Sequence, residues 1–328
     1  MLISILIPTI IFVLLSLLLW CLTNKIHNQY GKGRRVSYKT FGLTALLFSL
    51  IWYSLLFNGY QYGRWKYEVK HVEIEDDRIP SSFDGYKIVH ISDLHLEGFY
   101  DNPSFLDTLI HAVNSQNPDL ICFTGDLVSY DDTAAKHFLQ KLSVLSAKDG
   151  IISILGNHDY GIYRKDLDSI SQEKIRNRVI NIEQNLLQWH LLLNDNIIIK
   201  RESDSICVIG TENQACGLLQ RVRRGDLHKA CQDVKQEFKI LLTHDPSHWD
   251  AEVVDNTDIA LTLSGHTHAM QCKIFDFSPG EIFYKRCHSL YEEGKHKLYV
   301  NIGLGELIPF RIGAIPEITT ITLHKIER

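Results

Sequence analysis

The feature that most constrains this chain is a rhythm that repeats from residue 87 onward: a β-branched apolar run, a polar turn, then a stretch patterned as a helix. Residues 87–92 read as a strand running into Asp93, and 102–116 as a helix, with Asn102 placed to cap it ahead of Pro103 at the first helical position. A strand over Leu120–Phe123, a Gly125 and Asp126 turn, a helix near 133–146 and a strand over 151–155 follow in the same order. Strands alternating with helices predict a layered α/β domain. Further strands are expected at 197–200, 206–210, 239–243 and 259–264. The stretch 160–196, helical around 165–178, reads as a cap or lid, and 271–277, 297–302 and 318–323 read as a closing strand meander.

Five of the polar turns end in metal-ligand side chains: Asp93 and His95, then Asp126, then Asn157 with His158, then His244, then His266 and His268. In an extended strand residues two apart point the same way, so Asp93 with His95, and His266 with His268, are each expected to grip one ion from a strand end. A lone Asp-x-His is weak, because an isolated histidine is more often a satisfied core or surface residue. The weight lies in the set. Gly125 lets the backbone at Asp126 pass close to a metal, and a carboxylate, having two oxygens, suits a bridge between ions about 3.5–4 Å apart. By itself Asp126 would read as a helix or turn cap. Asn157 offers an amide oxygen, and His158 beside it suits phosphate binding or protonation of a leaving oxygen. Asp159 is expected to hold the His158 ring in one tautomer.

The ordered blocks, Asp-x-His at 93–95, Gly-Asp at 125–126, Gly-Asn-His-Asp at 156–159, a single His244 and Gly-His-Thr-His at 265–268, resemble the calcineurin-like metallophosphoesterases over roughly residues 86–324. The resemblance implies a four-layer αββα sandwich and two divalent ions, Mn, Fe or Zn. It implies Asp93, His95, Asp126 and His268 as ligands of one ion, and Asp126, Asn157, His244 and His266 of the other, with His158 catalytic. Such a pair would lower the pKa of a shared water towards neutrality and hold the phosphoryl oxygens for in-line attack. The 303–316 tail resembles that of membrane-anchored bacterial members. Its glycines and prolines suit tight turns packed under the site, and Arg311 as a phosphate clamp is the sharper alternative.

Residues 2–22 carry no charge, and at about 1.5 Å per residue they are long enough to cross a hydrocarbon core of roughly 30 Å. A second uncharged stretch, 40–63, is densest over 41–57, where a buried core helix is the plainer alternative. The expected organisation is a membrane anchor at 1–63 with a basic loop at 23–40, a connector at 64–85, and the phosphoesterase domain at 86–328. Lys25, Lys32, Arg34, Arg35 and Lys39 lie between the spans with no acid among them. The positive-inside rule then puts the loop in the cytoplasm and the catalytic domain on the other side of a cell membrane crossed twice. Arg64, Lys66 and Lys70 beyond the second span pull against this. The first charge, Lys25, falls after the apolar run rather than before it, so a retained anchor is expected and not a cleaved signal peptide.

Those five cations leave 29 of the 34 Lys and Arg residues to face 39 acids, so the part of the chain after residue 60 is acidic by about ten charges and poorly suited to nucleic acid. The expected partners are a phosphorylated small molecule or lipid-linked substrate and membrane lipid. Seven cysteines form no Cys-x-x-Cys pair. Cys122 and Cys207 read as core residues, while Cys216 with Cys231, or Cys272 with Cys287, could be bridged outside the cytoplasm. Tyr160, Tyr163, Arg164, Lys165, Trp189, Trp249 and Asn213 stand open between lining the site and ordinary packing. The competing functions are a cytoplasm-facing pyrophosphatase of UDP-linked acyl sugars, a catalytically silent scaffold, and a transport protein. The silent scaffold would lack a ligand or His158, and two spans without intramembrane charge give a solute no path.

Overall fold

The computed structural model describes residues 2–30, 37–217 and 222–327. It divides into a helical unit, which runs to Arg64 and takes in Ile308–Ile312, and a larger unit that holds the rest from Trp65.

In the helical unit, α1 (Leu2–Tyr30) and α2 (Tyr38–Gln61) are about 43 and 36 Å long at 1.5 Å per residue. They run antiparallel: Thr9 Oγ1 and Tyr53 Oη lie 2.7 Å apart, and the ring pairs Phe12 with Phe48 and Trp20 with Tyr38 follow in reversed order. Ser37 opens α2, its Oγ accepting from the Lys39 N–H. Leu14, Leu18, Leu47, Phe48 and Phe57 are exposed, so α2 is not the buried core helix weighed from sequence. Both helices are long and apolar enough to cross a membrane. Lys32, Arg34 and Arg35 of the basic loop lie outside the described residues. The tail expected to pack under the site divides. Gly303 and Gly305 do pack there, since a side chain at Gly303 would meet Asp93 Cβ at 2.7 Å and the Gly305 N–H donates to Asp93 O, while Ile308–Ile312 belong to the helical unit. The Arg311 N–H donates to Gly59 O, and a side chain at Gly63 would meet Arg311 O at 2.1 Å, so this second segment packs on the end of α2.

The larger unit holds strands β1 (Glu68–Asp76), β2 (Lys87–Ile91), β3 (Leu120–Phe123), β4 (Ile151–Ser153), β5 (His190–Leu191), β6 (Asp195–Arg201), β7 (Asp204–Gly210), β8 (Lys239–Leu242), β9 (Leu261–Ser264), β10 (Ser289–Glu293), β11 (His296–Val300) and β12 (Glu317–Lys325). Its helices are α3 (Pro103–Ser115), α4 (Thr133–His137), α5 (Leu139–Leu142), α6 (Ser169–Asn181) and α7 (Leu227–Ala230). The strands form two mixed sheets, ordered β1-β12-β2-β3-β4-β5 and β10-β11-β9-β8-β7-β6. In each sheet the middle is parallel, β2 to β5 in one and β7, β8, β9 and β11 in the other.

Strand parity sorts the side chains into layers. Ile88, Cys122, Ile152 and Ile154 meet Val208, Ile240, Leu242 and Leu263 in a core between the sheets. Val89, Ile121 and Phe123 face outward onto Leu106, Leu109 and Val113 of α3 and Val179 of α6. On the far side Ile209, Leu241 and Leu298 pack on Leu227, Trp249 and Val253. These layers make the αββα sandwich, and because both faces of each sheet are covered, central strands such as β3 are apolar at every position.

Several sequence expectations change. The stretch 64–85 carries β1, an edge strand parallel to β12. The helix expected over 133–146 is broken at the buried Phe138 into α4 and α5. The lid candidate is a layer element, because Ile175, Val179 and Ile182 are built into the outer core. No strand forms over 271–277, where Ile274 and Phe277 make one isolated bridge. Nor is the chain end a meander: β10 and β11 form a hairpin, and β12 crosses to the first sheet, antiparallel to β2. All seven cysteines are free.

Candidate metal centre

The ligand candidates sit beyond the carboxyl ends of parallel strands: Asp93 and His95 after β2, Asp126 after β3, Asn157 and His158 after β4, His244 after β8, His266 and His268 after β9. Parallel strands end on one side, so a single rim collects turns that are up to 175 residues apart in sequence.

The pairs converge, but not by the strand parity expected. Asp93, His95, Asp126, His266 and His268 all have left-handed backbone, with φ between 40 and 73°. That conformation is uncommon for residues with side chains and persists where the surroundings over-determine it. Gly125 and Gly156 allow the turns to meet, since a Cβ on Gly125 would lie 2.2 Å from Gly156 N and one on Gly156 would lie 2.2 Å from Asp126 Oδ1.

Three overlapping groups result, each with its ligand atoms within 4.8 Å: Asp93, His95 and His268; His95, Asp126 and His158; Asp126, His244 and His266. His95 Nε2 lies 3.1 Å from His268 Nε2, and His268 Nε2 is 3.3 Å from Asp93 Oδ1. His244 Nε2 is 3.2 Å from His266 Nδ1 and 3.1 Å from Asn157 Oδ1. Imidazole lone pairs and carboxylates so close repel unless cations lie among them, so the donor set fits metal ions. The outward nitrogens are committed to partners. His244 Nδ1–H donates to Thr124 O at 2.7 Å, His95 Nδ1 meets Ser129 Oγ at 3.2 Å, and His266 Nε2 meets Tyr284 Oη at 2.8 Å. Such outer bonds fix the tautomer that turns the other nitrogen inward.

Asp126 differs from expectation in one respect. Its Oδ1 accepts from the His158 backbone N–H, and Oδ2 alone lies between His95 Nε2 at 3.5 Å and His244 Nε2 at 3.2 Å, so one oxygen, not two, faces both groups. Burial opposes ionisation of Asp93, but His268, His244 and His95 outweigh it and hold the carboxyl well below its usual range. Burial would lower His244, yet the Asp126 carboxylate pushes it up to about 10. The centre therefore has carboxylates poised to bind cations.

The expectation for Asp159 is not met. Its carboxylate accepts from the N–H groups of Asp126, Leu127, Val128 and Gly156, while the His158 Nδ1–H donates to Ser129 O at 2.8 Å. Burial and the neighbouring Asp126 push Asp159 up to about 8, against which four N–H donors favour the ionised form. It ties the Asp126 turn to the Gly156 turn.

Tyr163 does reach the site, stacked on His158. Tyr160 bonds Glu212, Arg164 pairs with Asp131 and Asp166, Asn213 Nδ2 donates to Val222 O, and Trp189 and Trp249 are core residues, while Lys165 is exposed. Sequence reasoning missed Tyr284, Ser129 and a relay behind Asp93. In that relay Thr124 Oγ1 donates to Ser92 Oγ, which donates to Asp93 Oδ2, so His90 Nε2–H must donate to Thr124 Oγ1. No motif marks these residues, and His90 points away from the ligands along β2.

A two-sheet αββα sandwich with an Asp, Asn and His rim is the architecture of a metal-dependent phosphoester hydrolase. The chain belongs to the calcineurin-like phosphoesterase family, whose family model matches residues 86–270. It is 33% identical to the Bacillus subtilis metallophosphoesterase YkuE over 81% of this chain and 90% of that protein. It is 30% identical to a zebrafish (Danio rerio) transmembrane protein with a metallophosphoesterase domain, over 79% of this chain and 57% of that protein. A shorter match, 38% identical over 27% of this chain and 28% of the relative, is to UDP-2,3-diacylglucosamine pyrophosphatase LpxG of Chlamydia muridarum.

Proposed function

We propose that this chain is a membrane-anchored phosphoesterase with two divalent ions, one held by Asp93, His95, Asp126 and His268, the other by Asp126, Asn157, His244 and His266. The observation that carries the reading is the convergence of these donors within 4.8 Å in overlapping groups. Mixed oxygen and nitrogen ligands suit Mn, Fe or Zn. When bound, such a pair supplies a solvent nucleophile ionised near neutral pH and positive charge for the phosphoryl oxygens.

The chain's own groups do the rest. With Nδ1–H committed to Ser129 O, His158 has Nε2 left to give a proton to the leaving oxygen. Asp159 fixes the two turns that carry Asp126 and His158, and Tyr163 limits the tilt of the His158 ring. The test uses the full-length protein with added Mn against phosphomonoesters, phosphodiesters and lipid pyrophosphates. His158→Ala and Asp126→Asn should both lose turnover, with metal content falling mainly in the second. Normal turnover by Asp126→Asn would overturn the bridging role.

The substrate is a phosphate ester or pyrophosphate, small or lipid-linked, and tethering to a bilayer favours the lipid-linked class. Anchoring is supported by α1 and α2. Positive-inside reasoning puts the catalytic unit on the non-cytoplasmic side. Lys70, which pulled against this, is a β1 residue paired with the buried Glu317 of β12 at 2.5 Å, so it is neutralised within the fold. A second reading is favoured by the LpxG match: cleavage of a UDP-linked acyl sugar pyrophosphate on the cytoplasmic side. A reporter fused to the C-terminus separates the two, since each requires the opposite face.

A further inference from the structure

The segment that follows His268 turns six large apolar side chains to solvent: Met270, Ile274, Phe275, Phe277, Ile282 and Phe283, with Phe275 96% and Ile282 71% exposed. Its base is firmly built. Ile274 and Phe277 each donate a backbone N–H to the other's carbonyl, which forms a tight turn with Phe275 and Asp276 at its tip. Ser278 Oγ donates to Ala269 O and accepts from the Gly280 N–H, while the Ser278 N–H donates to Glu281 Oε1. The apolar residues are therefore held outward by a hydrogen-bonded scaffold. Exposed apolar groups on such a scaffold mark a surface that another apolar phase covers.

Chain connectivity names the occupant. The Leu307 N–H donates to Gln271 Oε1 at the base of the segment, and the next five residues, Ile308–Ile312, belong to the helical unit. The chain then returns at Gly313, whose missing side chain makes room for Lys273 O. The stretch from the end of α2 at Gln61 to the start of β1 at Glu68 is also short, seven residue steps that reach at most about 25 Å. A surface joined so closely to two helices of membrane-spanning length stays within reach of the bilayer. Phe side chains suit the boundary between headgroups and acyl chains, and Asp276 at the tip, 3.6 Å from Lys273, keeps the turn at headgroup depth.

We infer that residues 270–283 dip into the bilayer interface and hold the catalytic rim at the membrane surface. The inference rests on the reading of α1 and α2 as an anchor and deepens it. The same segment leads to Tyr284, which touches His266, so the inserted turn borders the candidate centre and suits a phosphorylated lipid approaching from the bilayer plane.

The test uses the full chain in nanodiscs of phosphatidylethanolamine and phosphatidylglycerol. Phe275→Cys, in a background with Cys21, Cys216, Cys231 and Cys272 changed to Ser, carries an NBD fluorophore, and Glu202→Cys in the exposed turn between β6 and β7 carries it as control. Emission from position 275 should be blue-shifted, and nitroxide lipids labelled near the headgroup should quench it about threefold more than the control. Equal quenching at both positions overturns the inference. So does a blue shift that disappears when each disc holds a single chain, since the patch would then cover a second copy. Turnover of bis(4-nitrophenyl) phosphate by the same protein reports separately on the phosphoesterase. Quenching without turnover would sink that reading alone, and turnover without quenching would sink this one alone.

Discussion

The His158 imidazole lies face to face with the Tyr163 phenol, ring centroids 3.8 Å apart and planes 9° from parallel, and the phenol oxygen accepts from Asn157 Nδ2 at 2.7 Å. One tyrosine thus orients two candidate functional groups. It supports the His158 ring by stacking, and by engaging the amide nitrogen of Asn157 it turns Oδ1 toward His244. Tyr163→Phe keeps the ring and loses the hydrogen bond, so metal affinity should fall about 10- to 100-fold while kcat at saturating metal changes little. Tyr163→Leu should lower kcat as well. Metal titration followed by steady-state kinetics separates the effects, and unchanged affinity in Tyr163→Phe would remove the orienting role.

Asp159 is predicted to act through stability rather than through the His158 ring. In Asp159→Asn an N–H₂ group would face backbone N–H donors, at a cost of about 3 kcal/mol. Denaturant unfolding of the metal-free protein measures this. A variant as stable as the parent but devoid of turnover would restore a direct catalytic part.

The relay behind Asp93 yields a third prediction. His90 is buried, and burial outweighs the charge of Asp93 and pushes it down to about 3, so the ring is neutral, and the relay places its one proton on Nε2. His90→Phe leaves the Thr124 hydroxyl without this donor and loosens Ser92 against Asp93. Metal affinity should drop about tenfold with the melting temperature of the apo protein little altered. Equal affinities in calorimetric titration would show that the relay is only packing.

Glu183 gives a pH signature. Its carboxyl is buried, Ser153 Oγ donates to Oε2, and Oε1 has no hydrogen-bond partner among the described residues. Burial, reinforced by Asp159, pushes it well above the usual range. The folded state therefore binds this proton more tightly than the unfolded chain. Stability contributed by the neutral form is present below the unfolded value, about 4.3, and is lost as pH rises towards the folded value. Glu183→Gln, which stays neutral, should be about 1–2 kcal/mol more stable than the parent at pH 8 and no more stable near pH 4. Thermal unfolding across that range checks the sign.

The parts of the fold legible in sequence were those with local causes. Strand β3 is read at its observed bounds because four consecutive buried residues leave no other reading, and α3 because Pro103 marks its start and its apolar spacing marks its buried face. Strand β1 was read as connector because its charges are paired only by residues far along the chain, Lys70 by Glu317. The helix over 133–146 is interrupted at Phe138, whose ring is buried in the outer core among residues from other elements, a contact that local pattern does not record.

By itself the sequence determined which atoms are available for metal and phosphate chemistry, since an Asp, Asn or His after an apolar strand is a local fact of composition and order. Only the tertiary structure decided how those atoms are aimed. Left-handed turns at Asp93, His95, Asp126, His266 and His268 took the place of strand parity, one carboxylate oxygen of Asp126 was spent on a backbone N–H, and Asp159 was drawn to four N–H donors instead of an imidazole. Each of these depends on the free energy of burying polar groups with partners supplied by other turns, and the identity of those partners exists only once the parallel strands have gathered the turns at one rim.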